Sequence, residues 1–188
     1  MKWLAEKYVK LRGWKFLGGP PEDPRYIVVG APHTSNWDFV LFLAAIRHFG
    51  IRPKFLGKHT LFTGPFGWLF RRWGGIPVDR TRPGGVIERV RSEFETSEEF
   101  ALVIAPEGTR DPAPYWKSGF IKIAEATGAP IVPAKIDSAS RTITLGEPIK
   151  HQGSTTDLMD RLRVFFSGMR GVRSGGEGPV RVREEVDG

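Results

Sequence analysis

The chain has 188 residues, 40% of them hydrophobic, with a net charge of +7 and no cysteine. That length builds one domain with a full core and is too short for two comfortable ones. The lack of cysteine excludes thiol nucleophiles, disulfides and cysteine-ligated zinc, and is compatible with an intracellular address.

Residues 1–12 mix charges throughout and lack a secretory apolar core or a small-residue cleavage site. They predict an amphipathic helix with Trp3, Leu4, Tyr8 and Leu11 as its apolar contribution and Lys2, Lys7, Lys10 and Arg12 as its basic one. Such a helix packs on its own domain or lies on an anionic membrane. The longest apolar runs, such as Phe39 to Ile46, reach eight residues, whereas a bilayer span takes roughly twenty. No transmembrane helix is predicted.

Short apolar segments predict strands near Tyr26 to Gly30, Lys54 to Leu56, Ile76 to Val78, Ala101 to Ala105, Ile131 to Ile136 and Thr142 to Leu145. Helical spacing predicts helices near Trp37 to His48, Phe66 to Trp73, Gly85 to Thr96, Ser118 to Thr127 and Thr156 to Ser167. This alternation argues for an α/β sandwich, a single domain over residues 1–168 around a largely parallel central sheet flanked by helices. Residues 169–188 are Gly-rich and poor in large apolar side chains, and predict a flexible C-terminal tail.

The charge excess belongs to the first 168 residues, because Arg170, Arg173, Arg181 and Arg183 balance Glu177, Glu184, Glu185 and Asp187. Between Lys54 and Arg82, six Lys or Arg residues stand against the single Asp79, among Phe55, Leu61, Phe62, Phe66, Trp68, Leu69, Phe70 and Trp73. A basic surface interleaved with bulky apolar residues suits a lipid surface or a phosphorylated amphiphile, and also nucleic acid. A solvated basic face beside ordinary core aromatics accounts for the same composition.

The run His33-Thr-Ser-Asn-Trp-Asp38 follows the first predicted strand. On an unbroken helix, residues five apart sit about 140° from each other, so the pair shares no face. The two side chains converge if His33 lies in the turn leaving the strand and Asp38 in the first turn of the next helix, with Thr34, Ser35 and Asn36 available as N-caps. An imidazole held by a carboxylate is a general base, although a His beside an Asp is also a common structural pair. Active sites in such sheets lie beyond the carboxyl ends of strands, where His33 falls.

Two further strand ends carry polar motifs. Gly74 to Arg80 couples glycines to a short strand ending in Asp79-Arg80, and reads equally as a turn with a surface arginine. Pro106-Glu-Gly-Thr-Arg110 offers a glycine for a tight loop, a guanidinium matched to phosphate oxygens, and Glu107 to hold a hydroxyl or orient a base. Lys117 stands just before a predicted helix, where it attracts anions or closes a turn over buried Trp116 and Phe120. The chain has no Gly-x-Ser-x-Gly elbow, no phosphate loop ending in Gly-Lys-Ser/Thr, no His-Glu-x-x-His and no Gly-x-Gly-x-x-Gly.

Taken in order, these motifs resemble the glycerolipid acyltransferases, the 1-acylglycerol-3-phosphate acyltransferases among them. His33 and Asp38 match the histidine, four residues and aspartate of the first motif, and Gly57-Lys-His-Thr-Leu61 the lysine-containing segment. Gly75 to Arg80 is similar to the second motif, Pro106 to Arg110 matches the third in full with Lys117 to Gly119 after it, and Ile131-Val-Pro133 looks like the fourth. The match covers roughly residues 26 to 136 and is nearest to the short bacterial members.

The resemblance implies an enzyme that moves an acyl group from a thioester donor, acyl-CoA or acyl carrier protein, to the hydroxyl of a lysophospholipid. His33 would be the base and Asp38 would orient it. Lys58, Arg80, Arg110 and Lys117 would serve the acceptor phosphate, with Glu107, Gly108 and Thr109 shaping the loop. No metal or cofactor beyond the donor is implied, the implied partners are lipid and membrane and no nucleic acid, and the implied location is peripheral, at the cytoplasmic face of a membrane. The residues alone leave open a different lyso-lipid or an amine-containing acceptor, a thioester hydrolase using the same His and Asp, and a non-catalytic lipid- or nucleic-acid-binding module.

Overall fold

Strand β2, Arg25–Ala31, alternates its side chains between two layers and fixes where the core lies. A computed structural model describes residues 2–79, 83–173 and 175–185. Successive strand side chains point to opposite faces. Ile27, Val29 and Ala31 join one buried cluster with Val90, Phe120, Leu158, Met159, Leu162 and Phe166. Tyr26 and Val28 join another with Ile46, Ile51 and Val132. The first cluster lies under helices α4 (Pro83–Thr96), α5 (Gly119–Thr127) and α6 (Thr155–Phe166). The second lies under α2, Trp37–His48.

The remaining strands are β1 (Lys15–Gly18), β3 (Pro53–Lys58), β4 (Gly75–Val78), β5 (Phe100–Ile104), β6 (Ile131–Asp137) and β7 (Thr142–Leu145). Among the described residues they form one seven-stranded sheet in the order β1-β7-β6-β2-β5-β3-β4. The β6·β7 pairing is antiparallel, whereas β1·β7, β6·β2, β2·β5, β5·β3 and β3·β4 are parallel. The largely parallel α/β sandwich expected from the alternation is therefore present. Because β2, β5 and β3 run the same way, Ala31, Ile104 and Lys58 leave the sheet at one edge, and the motif residues that follow them gather there.

Three expectations differ from the structure. Strand β1 was not predicted, because its four residues are mostly exposed and carry no alternation. It is held at the sheet edge by its register with β7, where a side chain on Gly18 (φ +75°) would strike the Leu145 carbonyl. Helix α1, Lys2–Leu11, turns Ala5 and Val9 inward against Leu41, Ala44 and Ile143. Trp3, Leu4, Tyr8 and Leu11, its expected apolar contribution, remain exposed and make no such packing. Ala and Val one turn apart allow close approach to α2, which the bulkier residues do not.

The third difference is the expected flexible tail. Its described part is strapped across the domain: Val182 is fully buried and bridged to Trp116, and Trp116 N–H donates to the Arg181 carbonyl at 2.7 Å. Arg163 bonds Glu185 at 2.9 Å, and Ser138 N–H donates to the Arg170 carbonyl at 2.8 Å. The composition concealed this because a few apolar residues, Val182 buried and Met169, Val172 and Val180 partly so, are enough to hold the segment. Gly171 and Gly176 meanwhile let the backbone pass so close over Thr34 that any Cβ would fall within 3 Å of it.

Candidate active site

The site begins where β2 stops. A cis Ala31–Pro32 peptide leads into His33, and α2 starts four residues later. Between them the chain closes on Asp38: its Oδ2 accepts the backbone N–H groups of Thr34 at 2.6 Å and Ser35 at 2.7 Å. The same oxygen lies 3.3 Å from His33 Nδ1. The convergence expected of this pair is thus achieved by the carboxylate folding back from the first helical turn, where the helix dipole also favours negative charge.

The capping expected of the intervening residues takes another form. Asn36 occupies the N-cap position without a side-chain cap bond, while Ser35 Oγ accepts from Trp37 N–H at 3.2 Å. Asn36 Oδ1 instead accepts a hydrogen bond from the Arg110 guanidinium. A residue that reads as a helix cap is in fact one of the links between the two motif loops.

Burial separates the roles of the two residues. Asp38 is 3% exposed, whereas the His33 side chain is 38% exposed. The carboxylate is shielded and held by charge-assisted bonds, and the imidazole reaches the open edge. With Nδ1 facing Asp38, the ring's Nε2 is the atom directed away from the carboxylate.

Glu107 approaches from the other side. It is 4% exposed and accepts the His33 backbone N–H at 2.6 Å. Burial pushes its carboxyl above the ordinary 4.5, with Asp38 and Glu177 adding to the rise and both the His33 N–H bond and the His33 ring opposing it. The folded chain therefore holds this proton more tightly than the unfolded chain. The resulting stabilisation is complete below about pH 4.5 and is lost as pH rises through the raised value. Glu107→Gln removes that dependence, so its stability relative to wild type should improve as pH climbs from about 4.5 through the raised value and then level off. Urea unfolding at a series of pH values checks this, and stability curves that run parallel would refute it.

Beyond Glu107, Gly108 (φ +67°) makes the sharp turn, and its missing Cβ leaves room for the end of the Lys117 side chain. Lys117 N–H also donates to the Pro106 carbonyl at 2.8 Å. Thr109 Oγ1 accepts from Asp111 N–H at 3.3 Å. His33, Asp38, Glu107, Gly108, Thr109, Arg110 and Lys117 thus belong to one connected group at one sheet edge. Lys58 ends β3 at the same edge, two strands from β2. Arg80 lies outside the described residues.

Sequence reasoning missed two members. Thr34 is buried, and its Oγ1 accepts from Arg173 N–H at 3.1 Å. The Arg173 guanidinium in turn donates to the Arg110 carbonyl at 2.6 Å and pairs with Asp111 at 3.0 Å. No spacing signal joins residues 139 positions apart; only the fold of the strap does.

Known proteins resemble this chain in sequence and in fold. A 1-acyl-sn-glycerol-3-phosphate acyltransferase of Streptococcus pneumoniae is 33% identical over 118 residues, 61% of this chain and 42% of the relative. The enzyme of the same name from Escherichia coli is 30% identical over 123 residues, 61% of this chain and 48% of the relative. The chain therefore spans under half the length of the curated relatives it matches. The crystal structure of the 1-acyl-sn-glycerophosphate (LPA) acyltransferase PlsC from Thermotoga maritima shares the fold, with a TM-score of 0.56 at 21% identity, over 87% of this chain and 74% of that one. The family model described as Acyltransferase matches residues 20–137, a span that holds the His33–Asp38 turn, the Glu107–Arg110 loop and the strands that place them, and this chain belongs to that family.

Proposed function

We propose that the chain transfers a fatty acyl group from an acyl thioester, acyl-CoA or acyl carrier protein, to the hydroxyl of a lysophospholipid, 1-acylglycerol-3-phosphate first among them. The observation that carries this reading is the His33 ring at the open edge with Nδ1 turned to the buried Asp38. His33 Nε2 takes the acceptor's hydroxyl proton as the oxygen attacks the thioester carbonyl. Asp38 keeps the neutral ring protonated on Nδ1 and stabilises the imidazolium. The tetrahedral intermediate then expels the thiolate, which recovers the proton from the ring. The substrate alcohol plays the part a serine plays in a triad, so the enzyme itself supplies no nucleophile.

Arg110, hydrogen-bonded to Asn36, and Lys117, whose side chain end lies against Gly108, are exposed at the same end of the sheet, and they supply the acceptor-phosphate contacts together with Lys58 and Arg80. Holding the phosphate fixes the distance between hydroxyl and imidazole and lowers the entropy lost at attack. Glu107 grips the His33 backbone and so sets the height of the ring above the sheet. A lipid acceptor puts this chemistry at a membrane, and attachment at the cytoplasmic face belongs to the same proposal. No helix among the described residues is long and apolar enough to cross a bilayer.

The test is incubation of purified protein with a panel of lyso-acceptors and both donor types, reading products by mass with His33→Ala as control. Acylated lipid made by wild type alone supports the proposal, and free fatty acid as the sole product replaces it with thioester hydrolysis. Arg110→Ala should raise the acceptor KM by about tenfold or more, since a hydrogen bond to a charged group is worth about 1.5–3 kcal/mol. The donor KM should stay within about twofold of wild type, because the lost contact is to the acceptor. Steady-state kinetics with each substrate varied separately checks this, and equal effects on both would remove Arg110 from the phosphate site.

A further inference from the structure

The excursion between β3 and β4 is a rigid platform with its apolar residues on the outside. A 3-10 turn, His59–Leu61, is followed by helix α3, Gly67–Arg72. Phe62 is driven into the domain, and three glycines receive it. A Cβ on Gly57 or Gly75 would lie 2.7 Å from its ring, and one on Gly67 would lie 2.1 Å from its carbonyl oxygen. The Arg71 guanidinium sits over the same ring at 5.4 Å. With the segment pinned this way, Leu61, Phe66, Trp68 and Trp73 are held in solvent, Phe66 and Trp68 at 66% and 65% exposure.

Single exposed apolar residues are ordinary, but four within residues 61–73 are not. Lys58, Arg71 and Arg72 are exposed among them, and no acidic residue occurs from Lys54 to Val78. Exposed Trp and Phe beside cations that form no ion pair among the described residues suit the boundary of an anionic bilayer, where rings enter the headgroup layer and cations meet phosphate. The other exposed apolar face, on α1, is less suited. Lys7 covers the Trp3 ring at 4.3 Å and Arg12 lies over Tyr8 at 5.7 Å.

The placement also connects with the site. The platform starts directly after Lys58, at the sheet edge that carries His33, and β3 lies two strands from β2, roughly 10 Å. We propose that residues 59–73 dock the protein on anionic phospholipid bilayers, with Phe66 and Trp68 entering the headgroup layer and Arg72 meeting lipid phosphates. This rests on the acyl-transfer reading only for its purpose, because docking would present the site to lipid-borne acceptors.

The experiment needs no turnover and so separates the two proposals. The full chain is sedimented with phosphatidylcholine vesicles containing or lacking phosphatidylglycerol. Wild type and His33→Ala should partition alike, at least tenfold more strongly onto the anionic vesicles. The double variant Phe66→Glu/Trp68→Glu should lose about tenfold or more of that partitioning, and Arg72→Ala a smaller part. Leu4→Glu/Leu11→Glu on α1 should stay within about twofold. Circular dichroism checks that each variant folds, and the lipid and salt dependence of wild type tests the charge argument without any substitution. Unchanged partitioning of the folded platform variant, loss confined to the α1 variant, indifference to phosphatidylglycerol, or single-stranded DNA displacing the protein from vesicles would each overturn the proposal.

Discussion

His33→Ala should lower kcat for acyl transfer by about 10³- to 10⁴-fold while leaving both KM values within about threefold. A positioned general base contributes about 10² to 10⁴ in rate, or about 3–5 kcal/mol of barrier. The upper part of that range is expected because the acceptor is an alcohol, which attacks a thioester poorly without loss of its proton, and Asp38 is already aligned to support the ring. The fold should survive. The side chain is 38% exposed, so little apolar burial is lost, and alanine keeps the backbone N–H that Glu107 accepts at 2.6 Å. Product formation by mass, with thermal unfolding alongside, checks both halves. A correctly folded variant turning over at near the wild-type rate would remove His33 from the mechanism.

Why so much of this site was legible follows from where its residues sit. In a parallel sheet, polar motifs placed directly after apolar strands must collect at one edge, so His33 after β2 and Glu107 after β5 are neighbours by topology alone. The five-residue spacing of His33 and Asp38 likewise demanded a turn followed by a helix start, and Trp37–His48 begins where required. Contacts set by close backbone passage were not legible. Arg173 reaches Thr34 and the Arg110 carbonyl only because Gly171 and Gly176 lie against Thr34, and nothing local to either segment encodes the meeting. The inward face of α1 was misread for a related reason: hydrophobicity ranks Trp3 and Leu4 above Ala5, but helix contact at α2 selects small residues.

The platform between β3 and β4 extends the same lesson. Its aromatics and cations were visible as composition, but composition alone does not say which rings are inside. The glycines decide this, since Gly57, Gly67 and Gly75 each leave the space that Phe62 fills, and the other large residues are excluded from it. A mixed run of rings and charges thereby becomes one anchor and an exposed rim.

Asp38→Asn should also reduce kcat, by about 10²- to 10³-fold, and the form of the loss matters more than its size. Asp38 Oδ2 accepts from Thr34 and Ser35 while facing His33 Nδ1 at 3.3 Å. An asparagine can turn its oxygen to the two backbone N–H groups and preserve the turn, but a neutral amide no longer stabilises the imidazolium. Its NH2 group would occupy the place of Oδ1, a buried atom without a hydrogen-bond partner among the described residues, which leaves an unpaired donor and costs about 1–3 kcal/mol of stability. A loss of stability alone would leave kcat per folded molecule unchanged, so the variant is measured at a temperature where it is fully folded. The decisive comparison is the double variant. If Asp38 acts through His33, combining His33→Ala with Asp38→Asn should cost no more in kcat than His33→Ala alone, because the carboxylate then has no ring to orient. Additive losses would show the Asp38 charge contributing independently of the imidazole, and its role would no longer be support of the base.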